Sequence, residues 1–401
     1  MPRYRLVIGA LLTALSASCG HPSTPENTPA AVVAEPTPPP SVATAAVPAT
    51  LRPDPLWQAP FSSPPRAVDD MFVGLIHPTP AEPKLTVAGV DAEGRTRWVV
   101  HTNPSCANFG ISRAGDRNVV VVLDQEPGRS GDVVAHTVAS GYDAEDGTRV
   151  WGPVQVPGQL VGPGLLVSRG GGPDGPRAAL DSHSGRVVVE SQPGTTVLQE
   201  YNGTVLVDRE RKLLAIDARD GAERWGPAAL LAPDSVAGQD ARPRYRSAAS
   251  GDPRLFFVEW VVGDDDRVVG HSIHDMHTGA LVTDVPEGGG DAMAVADRAT
   301  NKVVVYGISG TGTVFGVDRA SRDLLWRRPV DPEPVTFSFA SQGIAYGTTG
   351  SRAVAVDERS GEVRAEGTWA PPVAATRSGI TLVPVPGGKP DETRFVAFEK
   401  R

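Results

Sequence analysis

The sequence predicts an all-β protein whose body is one eight-bladed β-propeller, and three observations predict it. An acidic residue recurs eight times, in seven of them preceded by a small and then an apolar residue. The recurrence has a mean spacing of about 44 residues. Between the copies lie runs such as Asn118–Leu123, Leu255–Val258 and Lys302–Tyr306, whose unbroken apolar, β-branched and aromatic character is that of buried strands. A period of that length carrying several strands is that of one four-stranded blade. Seven blades, with one degenerate copy misread, is the alternative. Composition agrees, since 44 Gly and 38 Pro in 401 residues favour short strands and turns over long helices. The 47 acids against 38 bases, net −9, with no extended basic run, argue against a dedicated nucleic-acid binder. Two cysteines cannot build a disulfide scaffold or a Cys-rich zinc site.

In chain order, the first element is a leader. Arg3 and Arg5 open it, an apolar stretch runs from Leu6 to about Leu15, and small residues precede Cys19. That layout is a secretory signal peptide over residues 1–18, and its apolar run is too short to span a bilayer, which takes roughly 20 residues. The Leu15–Cys19 sequence resembles a bacterial lipobox. The resemblance implies lipid attachment at Cys19, which becomes the first residue after cleavage. Ser16 stands where the lipobox pattern prefers Leu, and an ordinary secretory signal ending near a cysteine is the alternative. Residues 19–55 are dominated by Pro, Ala, Thr and Ser with hardly an aromatic, which predicts a disordered tether that cannot bury enough surface to offset its ordering entropy.

The repeats fill residues 56–401. Asp143, Gly147 and Trp151 form one clear copy, and Asp217, Gly221 and Trp225 another. Asp318 and Trp326 share the Asp-to-Trp interval of eight. Asp91 and Trp98 are one residue closer together. Asp181 with Gly185, Asp275 with Gly279, and Asp357 with Gly361 lack the Trp, and Glu399 stands where the chain stops. The motif reads as the outer hairpin of a blade. Its acid accepts turn N–H groups, its Gly takes the left-handed conformation that closes the loop, and the small residue two places before the acid lets the neighbouring blade approach. The Trp, on the returning strand, buries roughly 200 Å² between blades while its indole N–H finds a carbonyl. The last copy lacks a returning strand, whereas Trp57 stands before the first copy without a repeat of its own. The strand around Trp57 is therefore predicted to complete the C-terminal blade and close the ring, removing an exposed edge.

The Ala-x-Asp-x-x-Thr-Gly-x-x-x-Trp pattern resembles the repeat of the PQQ-like (quinoprotein-type) β-propellers, a family that includes quinoprotein alcohol dehydrogenases and BamB-like bacterial lipoproteins. An enzyme of that family is expected to hold the quinone and calcium near the axis, commonly beside adjacent cysteines. Here Cys106 is the sole cysteine beyond Cys19, and there is no haem-attachment sequence. No cofactor is therefore expected, and a shared fold does not carry chemistry with it.

Other candidates for chemistry read as structure. His271, His274 and His277 cannot converge from one strand and its turn. The Gly263–Asp266 run lacks the spacing of a calcium loop and reads as a hairpin tip. The glycine-rich stretches 170–175 and 307–312 lack a following helix and a phosphate-binding Lys, and read as turns. Cys106 reads as a structural thiol. The longest inter-repeat interval, from Asp217 to Asp275, contains an insertion over Leu231–Arg254 with Arg242, Arg244, Tyr245 and Arg246, a basic-aromatic patch suited to an anionic partner. The functional expectation is an exported, membrane-anchored lipoprotein whose monomeric propeller is a non-catalytic binding or assembly scaffold at the cell envelope. A PQQ-dependent oxidoreductase, or a ring binding a small ligand or sugar in its axial funnel, are the alternatives. Arg in excess of Lys, with abundant Ala, Gly, Pro and Asp, fits a GC-rich bacterial source.

Overall fold

The computed structural model describes residues 34–126, 136–169, 175–246, 252–285, 292–307, 313–329, 335–388 and 392–401. The leader, Cys19 and the first part of the tether lie outside the described residues, as do most of the stretches 170–175 and 307–312. The strands form eight four-stranded antiparallel sheets. The first blade runs from inside to outside through Arg66–Val68, Met71–Ile76, Leu85–Asp91 and Thr96–Thr102. Blades two to seven repeat that consecutive order. The eighth does not: Ala374–Ala375, Thr381–Pro386 and Thr393–Phe398 are followed across the sheet by Gln58–Ala59 from the other end of the chain. Gln58 pairs with Val396 and Ala59 with Phe395, so the ring closes through the N-terminal strand beside Trp57 and has eight blades.

No single core fills the molecule. Apolar residues of each blade pack against those of the next, as where Val73, Val87 and Trp98 of the first blade meet Val120, Val122 and Tyr142 of the second. Burying both faces of a blade explains why its middle strands are continuous apolar runs rather than alternating ones. In the first blade all seven residues of Leu85–Asp91 are buried.

The expectation of a disordered tether as far as residue 55 is corrected by the structure. From Ala34 the chain is docked on the ring. Ala34 bridges to Thr96, Thr37 to Gln58 and Leu51 to Lys400. Val47 and Leu51 are buried among Val383, Val385, Val396 and Phe398 of the eighth blade. Two well-spaced apolar side chains are enough to hold a segment whose overall composition predicts no fold, because the groove that receives them already exists.

Candidate functional site

In every blade the first and third strands run the same way, so the turns that close them lie on one face of the ring. The third-strand turns carry the repeated acid. Asp143 Oδ1 accepts the N–H of Glu145 at 2.9 Å, and Asp217 Oδ1 that of Arg219 at 2.8 Å. Asp181, Asp275, Asp318 and Asp357 likewise accept the N–H two residues on, and Asp91 Oδ1 accepts that of Arg95, four residues on. The glycines at Gly147, Gly185, Gly221, Gly279 and Gly361 all have φ between 70° and 74°, the left-handed conformation the turn requires.

The Trp of one blade bonds to the turn of the next. Trp98 Nε1 donates to the carbonyl of Ala144 at 3.0 Å, Trp151 to Ser182 at 2.7 Å, Trp225 to Met276 at 3.1 Å and Trp326 to Glu358 at 2.8 Å. Each acceptor is the residue directly after the next acid. Trp57 obeys the same rule across the closure, donating to Ala92 at 3.1 Å. The small residue two places before the acid has a role different from the one expected. A Cβ on Gly89, Gly141 or Gly316 would lie within 2.3 Å of the Trp of the same blade, so this position clears room for the blade's own indole rather than for its neighbour. It is the turn glycine that meets the neighbour: Gly147 lies under Trp98, Gly185 under Trp151, Gly279 under Trp225 and Gly361 under Trp326.

On the same face the inner-strand ends surround a funnel of about 490 Å³ at the axis. Its walls combine Phe339 and several alanines with Asp69, Asp252, Asp297, Arg298 and Arg377. Arg377 is ion-paired with Asp69 across the joint between the eighth and first blades. Asp297 is held by the N–H groups of Ala299 at 2.9 Å and Gly343 at 2.7 Å. Arg298 bonds the Tyr201 hydroxyl and lies 5.7 Å from the centre of its ring. A mouth with both signs of charge and an apolar wall suits a small polar ligand. Nothing in the sequence pointed to these residues, because they come from five separate repeats and none belongs to the repeated motif.

The residues singled out for chemistry do not assemble. His274 is buried, with Nδ1 against the carbonyl of Gly279 at 2.9 Å and Nε2 against Ser272 Oγ at 2.8 Å, while His277 sits by Thr204 and Arg224. Burial pushes the His274 imidazole down to about 4. Among the described residues, no group of three or more His, Cys, Asp or Glu side chains could hold a metal ion. Cys106 is buried, and that burial together with Asp124 pushes its thiol up to about 11. Asp266 closes the tip between Leu255–Val262 and Arg267–Asp275 and pairs with Arg211 at 2.8 Å.

The basic-aromatic patch is also corrected. Arg242–Arg246 is not a loop but the inner strand of the fifth blade. Arg244 stands opposite Glu259 and is bonded to it at 2.6 and 2.9 Å, Arg246 reaches the same carboxylate at 3.1 Å, and Arg242 pairs with Asp266. Of the inserted residues before it, Val236 is buried against Trp225, Phe256 and Trp260, while most of the others, Leu231 included, are exposed. The patch is a strand whose charges are largely answered from its own blade.

The molecule is thus a closed eight-bladed β-propeller with a polar funnel on its turn face. A scan against protein families and a search of curated proteins found no match. Solved structures similar to this chain include BamB from Moraxella catarrhalis, at 17% identity and a TM-score of 0.42, covering 83% of this chain and 95% of that one. The computationally designed Ika8 protein is similar at 13% identity and a TM-score of 0.45, with 86% of this chain and 99% of that one covered. The β-propeller domain of Myceliophteria thermophila Cps50 (Swd1) is similar at 10% identity and a TM-score of 0.42, with 87% and 98% covered.

Proposed function

We propose that this chain is an exported lipoprotein, anchored through Cys19, whose propeller has the PQQ-like type of repeat and serves as a non-catalytic binding or assembly platform at the cell envelope. The observation that carries the platform reading is the closed ring itself. Trp57 and four other indoles bond one blade to the next, so the turn face is a rigid surface on which recognition needs little ordering on binding. The leader ending at Cys19 and Gly20 supports the address. In a bacterial host, the intact protein is expected in the membrane fraction and Cys19→Ala in the soluble exported fraction. Crosslinking and pull-down from envelope fractions is expected to recover the same partner with the intact protein repeatedly. Recovery of Cys19→Ala with the membranes sinks the anchor, and no reproducible partner sinks the platform.

A second reading is favoured by the funnel of about 490 Å³, whose charged and apolar walls suit a small polar ligand or sugar. Reversal of Arg298 to Glu is expected to abolish such binding while leaving envelope partners in place. Absorption spectra before and after addition of the quinone and calcium separate both readings from a quinoprotein oxidoreductase, which alone requires a bound, reducible chromophore.

A further inference from the structure

Beside the funnel the turn face holds a second recess of about 260 Å³, below the ~300–1,000 Å³ usual for larger ligands. Four blades contribute to it. Arg113 comes from the second, Tyr201 from the fourth, Arg254, Asp275 and His277 from the fifth, and Arg319 from the sixth. Three guanidinium groups thus face one carboxylate, on a protein of net charge −9. Two of the three are largely withdrawn from water, the Arg254 and Arg319 side chains being only 16% and 17% exposed. A charge so placed is costly unless it is paired and hydrogen-bonded.

The pairing present leaves donors over. Arg254 gives Nε and Nη2 to Asp252 and Nη2 to the carbonyl of Ala296, and Arg319 gives Nη2 to Asp275. Among the described residues, Nη1 of each therefore remains to donate. Burial, and then the positive charge of Arg254, hold the Arg319 guanidinium below its ordinary value, Asp252 and Tyr201 opposing, whereas burial of Arg254 is outweighed by its pairing with Asp252, which holds it above its own. The Tyr201 hydroxyl accepts from Arg298, which leaves its own proton for an acceptor in the recess. His277 adds no charge, since burial and Arg224 lower its pKa.

We infer that this recess binds a phosphate-type oxyanion, such as the phosphomonoester end of a small molecule. Donors that approach from separate blades fit an acceptor with oxygens in several directions, and guanidinium groups match phosphate through parallel N–H bonds. A carboxylate, with two oxygens in one plane, meets fewer of them. The site is distinct from the axial funnel and does not depend on the platform reading.

Calorimetric titration of the purified chain at fixed ionic strength tests it, using inorganic phosphate and glycerol phosphate, with acetate and chloride as controls. Saturable phosphate binding is expected, with acetate weaker by about ten-fold or more, as the loss of one charge-assisted bond implies. Arg113→Gln leaves both ion pairs intact and is expected to weaken phosphate binding about ten-fold at unchanged thermal stability, with Arg319→Gln weakening it further. Sedimentation with vesicles containing phosphatidic acid distinguishes a lipid source from a soluble one, and Arg113→Gln is expected to reduce whichever is bound. Equal responses to phosphate and chloride, or wild-type phosphate affinity in both Arg variants, overturn the proposal.

Discussion

A single repeated residue does two jobs in every blade joint that has an indole. The turn glycine takes a left-handed backbone and also lies against the indole of the preceding blade. The two demands separate experimentally at Gly147 and Gly115. Both have positive φ, 73° and 62°, but a Cβ on Gly147 would meet Trp98 at 2.5 Å, whereas one on Gly115 would meet nothing within 4 Å. Gly115→Ala is expected to cost about 1 kcal/mol in denaturant unfolding, the backbone term alone. Gly147→Ala adds overpacking of ~1–3 kcal/mol. Equal losses would show that the indole contact is dispensable. The sixth blade bears out the logic naturally: Arg322, at φ 67°, fills the glycine position after Asp318, and the preceding blade has Thr283 rather than Trp where the indole would lie. The indole N–H has its own value. Trp151→Phe keeps most of the packing but leaves the carbonyl of Ser182 without its donor at a buried position, so a loss of ~1–3 kcal/mol is expected by the same unfolding measurement.

At the scale of elements, the docked N-terminal segment reinforces one of the three joints that have no indole bond. The seventh blade carries Ala365 eight residues after Asp357, so no Trp reaches toward the eighth blade there. The segment supplies other bonds instead. Thr50 Oγ1 lies 2.9 Å from the Tyr346 hydroxyl of the seventh blade, its carbonyl accepts the N–H of Arg401 at 3.1 Å, and Arg52 pairs with Glu399 at 2.7 Å. Leu51→Ala is expected to cost ~2–4 kcal/mol and to make the chain near residue 50 the first site of proteolytic cutting. Unchanged stability and cutting would mean that the segment lies on the ring without supporting it. The blades and their closure were legible in the sequence, because the acid and its turn recur along the chain, a Trp follows in four copies, and Trp57 was left without a repeat. The docked segment was not, because Val47 and Leu51 are two buried anchors in a Pro-rich stretch and their groove is built about 340 residues later. Arg242–Arg246 misled for a related reason. Arg-Pro-Arg-Tyr-Arg reads as an exposed loop until Glu259 is seen directly opposite Arg244, and an inner edge strand is where a proline is tolerated. The funnel and the oxyanion recess combine residues of several repeats, so no spacing in the chain could announce them.

For the whole molecule, two buried titratable groups predict opposite slopes of stability against pH. His274 is neutral by construction. Trp260 Nε1 donates to Ser272 Oγ at 2.7 Å, the serine hydroxyl donates to His274 Nε2, and Nδ1–H donates to the carbonyl of Gly279, so a second imidazole proton has no acceptor. Its value of about 4, against 6.5 ordinarily, means that the unfolded chain binds the extra proton first. Stability from this group is complete above pH 6.5 and falls as pH drops toward 4, by about 3 kcal/mol in all. Glu358 behaves in reverse. Its side chain is buried, Oε2 accepts from Thr300 at 2.7 Å, Oε1 has no partner among the described residues, and burial followed by the charge of Asp297 pushes the carboxyl up to about 8, Lys302 only partly opposing. The folded state therefore keeps a proton that the unfolded chain releases, and stability falls as pH rises from 4.5 to 8 by up to about 4 kcal/mol. Denaturant titrations across pH 4–9 should thus give, from these two groups, a plateau between about pH 4.5 and 6.5, where the slopes cancel, and a fall between 6.5 and 8 for the wild-type protein. Glu358→Gln, which keeps a neutral side chain of the same shape, is expected to remove that fall and to uncover the rise between pH 4 and 6.5. His274→Gln is expected to lower stability throughout and to extend the fall down to about pH 4.5. Parallel curves for the wild type and Glu358→Gln would mean that the carboxylate is ionised in the folded ring. The joint between the sixth and seventh blades, which Glu358 spans through Thr300 and through the Trp326 indole on its carbonyl, is then expected to be the first to loosen at high pH, as faster amide exchange at Gly343 and Glu358 than at the other joints.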